Sequence, residues 1–76
     1  MTQEVKSEVL YEKEQHNLET RMAAYETQYQ MASGEFYRRF RAGELGDAMD
    51  FVEWRVFYEM HQVILARIET LGVTAE

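Results

Sequence analysis

The stretch EFYRRFRAGELGDAMDFVEW, Glu35 to Trp54, decides the fold. Two of the four glycines, Gly43 and Gly46, fall inside it, with aromatic residues at 36, 37, 40, 51 and 54 on either side. Gly43 suits the left-handed position that closes a helix, and Gly46 followed by Asp47 makes a second turn and then an N-cap. The chain must bend here between helices. Before the bend, Ser33 is expected to cap a short helix over about 34–42, with Glu35 in its first turn, where negative charge suits the exposed amides. Phe36, Tyr37 and Phe40 give that helix an apolar face.

Outward from the bend lie two long segments with no proline and no internal glycine. The downstream one predicts a helix over about 48–71, stopped by Gly72 with Arg67 near its negative end. Its apolar positions, Phe51, Trp54, Phe57, Tyr58, His61, Ile64, Leu65, Ile68 and Leu71, recur in steps of three and four, and the adjacent members widen the stripe beyond a coiled-coil seam. Val56, Met60 and Val63 add apolar surface on a flank. The upstream segment predicts a helix over about 2–31 with one narrow seam, Tyr11, Leu18, Met22, Tyr25 and Tyr29. Val5, Val9 and Leu10 lie off that seam and Gln15 interrupts it, so fraying is expected towards the start. Downstream, a helix ~36 Å long at ~1.5 Å per residue can pair with most of the first. The expected fold is all-α: a long helix, a short helix and a long helix forming an antiparallel hairpin that associates into a bundle.

At 76 residues the chain is one domain, and so short a chain buries only about 60–65% of the surface its unfolded form exposes. Without cysteine it has no disulfide and no thiol for metal or nucleophilic chemistry. Association, with itself or a partner, is the remaining common source of stability. The net charge of −6 argues against nucleic-acid binding, which needs surplus Lys and Arg, and suits a basic protein partner or simple solubility. No apolar run of membrane-spanning length occurs, and the N-terminal MTQEVKSEVLYEKEQ is too charged for a signal peptide. A cytoplasmic protein with no nucleic-acid or membrane partner is the expectation.

Catalytic patterns are not visible. A helical carboxylate metal site needs Glu-x-x-His, whereas His16 follows Glu12 by four and His61 follows Glu59 by two. Ser7 and Ser33 have no base beside them in a motif. RAGELGD offers carboxylates where a phosphate-cradling loop offers Lys, Ser or Thr. No enzyme activity, metal or cofactor is expected.

Seven of the ten aromatic residues lie between Phe36 and Tyr58, and Trp, Tyr and Arg carry much of the energy in protein interfaces. The alternative use of Phe36, Phe40, Phe51 and Trp54 is a small core tying the short helix to the long ones. Arg38, Arg39 and Arg41 precede Glu44, Asp47, Asp50 and Glu53, so a basic patch adjoins an acidic one across the turn. Local pairing of Glu35 with Arg38 and Arg39 is one use of that order. Recognition is the other, with acids facing a basic partner and arginines fixing register. The candidate partner-binding residues are Phe36, Tyr37, Arg39, Glu44, Asp47, Asp50, Glu53, Trp54 and Phe57; the candidate oligomer interface is Tyr58, His61, Ile64, Leu65 and Ile68.

SGEFYRRFRAGELGDAMDFVEW, followed by the YEM of Tyr58 to Met60, resembles a family of small acidic helical antitoxins encoded beside toxin-like genes in bacteria and archaea. The likeness covers about Tyr25 to Leu65. Members are similar in a Tyr-rich helix ending at a Met, a Ser-capped EEFYxRFxAGELGD segment and DFxEW. This chain differs in having Gln30 where relatives commonly have Gly, which suggests that the first helix continues without a kink. It also has Gly34 where they have an acidic or Ser residue, which weakens the start of the second helix. The resemblance implies an antitoxin that neutralises a cognate toxin by occluding its surface. A structural homo-oligomer with no toxin partner is the alternative.

Overall fold

The computed structural model describes the backbone of residues 2–75 and the side chains of residues 10–70. Among these the protein is all-helical, with α1 (Thr2–Tyr29), α2 (Ser33–Arg41) and α3 (Met49–Ala75) and no strand. α1 and α3 run antiparallel, because cross-helix contacts fall in sequence on one helix as they rise on the other. Tyr29 meets Phe51, Tyr25 meets Trp54 and Phe57, Glu19 meets His61, and Tyr11 meets Arg67. The expected hairpin is present, with α2 folded against α3 at the bend.

The seam of α1 is the one its spacing predicts. Leu18 and Met22 are buried, Tyr11, Tyr25 and Tyr29 are half-buried, and Leu10 is exposed. The side chains of Val5 and Val9, and the fraying expected around them, lie outside the described side chains. α1 ends at Tyr29, two residues earlier than expected, and it does not continue through Gln30. That residue takes a left-handed φ of 56°, and the Met31 amide donates to the Glu26 carbonyl at 3.2 Å. This is a Schellman closure in which a glutamine occupies the position that favours glycine. The Gln30 side chain donates to the Thr27 carbonyl at 3.0 Å, satisfying one of the acceptors left at the helix end.

α2 closes as its sequence predicts. Gly43 has φ 77°, its amide donates to the Phe40 carbonyl, and the Glu44 amide donates to the Arg39 carbonyl. Its start is different: Ala32, in extended conformation, is the N-cap and makes no side-chain cap bond. Ser33 lies inside the helix, its hydroxyl engaged in the core. At α3 the Ala48 carbonyl accepts from the Phe51 and Val52 amides, so Asp47 lies just outside the helix and does not cap it. α3 then runs through Gly72 to Ala75. A lone glycine weakens a helix by about 1 kcal/mol and, with no proline after it, does not stop one.

The largest fully buried side chains among the described residues are Trp54 and Phe36, and they stack face to face at 4.0 Å with planes 3° apart. Met22 completes the buried cluster, and Phe40, Phe51, Tyr25 and Tyr29 pack round it. Three helices meet on one indole. Its Nε1–H donates to the Ser33 hydroxyl at 2.8 Å, and that hydroxyl donates to a Glu26 carboxylate oxygen at 2.7 Å. The same oxygen accepts from the Ser33 amide at 3.0 Å. Glu26 therefore caps the entry to α2 from α1, the task expected of Ser33's own side chain.

Candidate partner-binding surface at the bend

The residues proposed to meet a partner separate into two layers. Phe36 and Trp54 belong to the inner one: both are fully buried, so neither is available for direct contact. The physical reason is the hairpin itself, since α1 and α2 together cover this end of α3, and a flat ring pair needs cover on both faces. The small-core alternative describes them correctly, with Phe40 and Phe51 at its margin.

The outer layer is polar and aromatic. Glu44 and Asp47 are exposed and make no ion pair among the described residues. Asp50 accepts from the Tyr29 hydroxyl at 2.6 Å and Glu53 from the Tyr25 hydroxyl at 2.5 Å. Each of these carboxylates is met by a neutral phenol, so its charge is oriented but not cancelled. The phenols register the contact: hydrogen bonding to Glu53, with burial, pushes Tyr25 up to about 12, and Asp50 raises Tyr29 in the same way. Four carboxylates thus lie at or just after the turn: Glu44 acts on Arg38 through its charge alone, Asp47 makes no ion pair among the described residues, and Asp50 and Glu53 are each held by one oxygen.

Beside them, Tyr37 tilts against Tyr58 with ring centroids 4.6 Å apart. Its hydroxyl donates to Glu59 at 2.7 Å and accepts from Arg41, whose guanidinium also lies over the ring. That phenol bond, with Arg55 nearby, holds Glu59 below the usual carboxylate range. Arg38 and Arg39 both reach Glu35, at 2.8 and 2.7 Å, and lower its pKa, so local pairing accounts for part of the basic patch. Phe57 is half-buried beside Tyr25, with the Arg21 guanidinium 5.5 Å from its ring centre.

The proposed oligomer residues are redistributed. His61 bonds to Glu19 across the hairpin at 2.9 Å, and Tyr58 packs on the core. Ile64, Leu65 and Ile68 are half-buried in the single chain. Among the described residues, the large apolar side chains left exposed on α3 are Met49, Val56, Met60 and Val63. The stripe is too wide for one neighbour, and α1 leaves these four exposed.

Among the described residues no cluster of His, Cys, Asp or Glu has the geometry to hold a metal, and no helix is long and apolar enough to cross a membrane. Glu26, Tyr25, Tyr29 and Glu59 are the contributors that sequence reasoning missed. Only Tyr25 and Tyr29 carried a signal, because each sits on the α1 seam with a polar tip that needs an acceptor. No protein-family model matches the chain, and comparison with curated proteins and with solved structures finds no significant match.

Proposed function

We propose that the chain is a non-enzymatic protein-binding module, an antitoxin acting in the cytoplasm by seating its bend on a basic cognate toxin. The observation that carries this reading is the set of carboxylates at the turn, Glu44, Asp47, Asp50 and Glu53, none of which forms an ion pair among the described residues. A carboxylate held by a phenol is pre-oriented, so a lysine or arginine from a partner finds its acceptor without ordering it first. Tyr37 and Phe57 supply the adjoining ring surface, and Arg39 sets register. Phe36 and Trp54 act from beneath, by fixing α2 against α3. The partner's class comes from the resemblance of residues 33–54 to the antitoxin family.

The decisive experiment is co-expression with the adjacent open reading frame, asking whether the two products copurify and whether growth arrest is relieved. Glu44→Lys with Asp47→Lys should weaken capture roughly tenfold, since charge pairing at an interface sets affinity and on-rate, while the helical content stays unchanged. Undiminished binding by this double variant eliminates the acidic end as the contact.

A further inference from the structure

The outer side of α3 carries a second seam whose apolar positions the hairpin leaves exposed. Met49, Glu53, Val56, Met60, Val63 and Arg67 follow one another by four, three, four, three and four, the spacing of helices that pack side by side. All six are exposed, the apolar ones at 73%, 37%, 43% and 52% for Met49, Val56, Met60 and Val63. Val63 lies between two shallow hollows, one shared with Tyr11, Ala66 and Arg67 and the other with Glu59, Met60 and Ile64. The only buried apolar side chains among the described residues are Leu18, Met22, Phe36 and Trp54, a small core for a chain of this length.

We propose that this seam is covered by α3 of a second copy of the chain, packed antiparallel about a two-fold axis at Met60. The charges select that occupant and that direction. Glu53 lies seven residues before Met60 and Arg67 seven after, so a two-fold there sets Glu53 of each copy opposite Arg67 of the other, with Val56 and Val63 of the two copies one residue from direct register. Parallel pairing would oppose Glu53 to Glu53 and Arg67 to Arg67. Both charges are held at the shoulder of the seam by α1, Glu53 through Tyr25 at 2.5 Å and Arg67 through Tyr11 at 3.4 Å. Arg67 makes no ion pair in the single chain among the described residues, and the second copy supplies one. The axis is isologous, so the assembly closes as a dimer; Glu53 is taken into its interface, and Glu44, Asp47 and Asp50 stay outside it at each end. This inference does not depend on the toxin reading.

Sedimentation of the purified chain over a wide range of concentration tests it. The wild type should show a reversible monomer–dimer equilibrium, and Met60→Glu should leave it monomeric with unchanged helicity. Glu53→Arg alone and Arg67→Glu alone each replace two opposite-charge contacts by like-charge ones and should weaken the dimer about tenfold at low salt. The double swap, Glu53→Arg with Arg67→Glu, should restore it. A wild type monomeric at every concentration, or a dimer indifferent to Met60→Glu, overturns the proposal. A dimer that the double swap fails to restore overturns the antiparallel arrangement. If the chain alone stays monomeric while Met60→Glu abolishes capture by the neighbouring gene product, the seam belongs to a different protein and self-association is refuted.

Discussion

Gln30 shows how much one backbone angle can matter. A side chain at φ 56° is strained by roughly 1 kcal/mol, because its Cβ approaches the following carbonyl oxygen. Gln30→Gly should therefore raise stability by ~0.5–1 kcal/mol, read as an increase in the urea midpoint at constant slope, whereas Gly43→Ala at φ 77° should lower it by a similar amount. The Ser33 hydroxyl is a second point where one atom matters. Ser33→Ala removes the acceptor of a buried indole N–H and one donor to Glu26, an orphaning worth ~1–3 kcal/mol. Trp54→Phe in the Ser33→Ala background should recover part of that loss, because it removes the group left unpaired; no recovery in a double-mutant cycle would show that the bond contributes nothing.

At the level of helices, the tyrosine–carboxylate bonds tie α1 to the start of α3, and they make the pairing sensitive to alkali. Tyr25 ionises at an ordinary 10 when unfolded and at about 12 in place. The folded chain keeps that proton where the unfolded chain has lost it, so stability is undiminished below pH 10 and falls as pH rises from 10 towards 12. Unfolding followed by circular dichroism should show this alkaline decline, and Tyr25→Phe should flatten it; an equal slope in the variant would mean that Tyr25 titrates freely. The helices themselves were readable. Glycine-free runs with apolar steps of three and four gave α1 and α3, and Gly43 gave the end of α2. Their ends were less so, since Gln30, Ala32 and Ala48 act as terminators through backbone geometry that their side chains do not advertise.

Among the described residues the molecule measures 46 × 20 × 17 Å, a slender hairpin with its buried ring cluster at the bend. Such a shape separates two surfaces: an acidic end organised by buried rings, and an apolar flank along α3. The acidic end was legible because Glu44, Asp47, Asp50 and Glu53 are close in sequence and follow a turn, so they must be neighbours in space. The assignment of Phe36 and Trp54 to an outward contact was not sound, because composition does not distinguish a ring that faces a partner from one sandwiched between helices. Of the expected self-association residues, His61 bonds to Glu19 and Tyr58 packs on the core within the single chain, while Ile64, Leu65 and Ile68 stay half-buried. A stripe covering more than half of a helix's circumference does not say which part its own chain will cover.

Local chemistry, then, was sufficient for three helices, their order, the glycine-closed turn and the acidic patch, since each depends on residues within a few positions of one another. The division of α3 into a sheltered side and an open one depends on how α1 comes to lie across it. That angle follows from long-range packing around Trp54, Ser33 and Glu26, which are distant in the chain and meet only when the helices close.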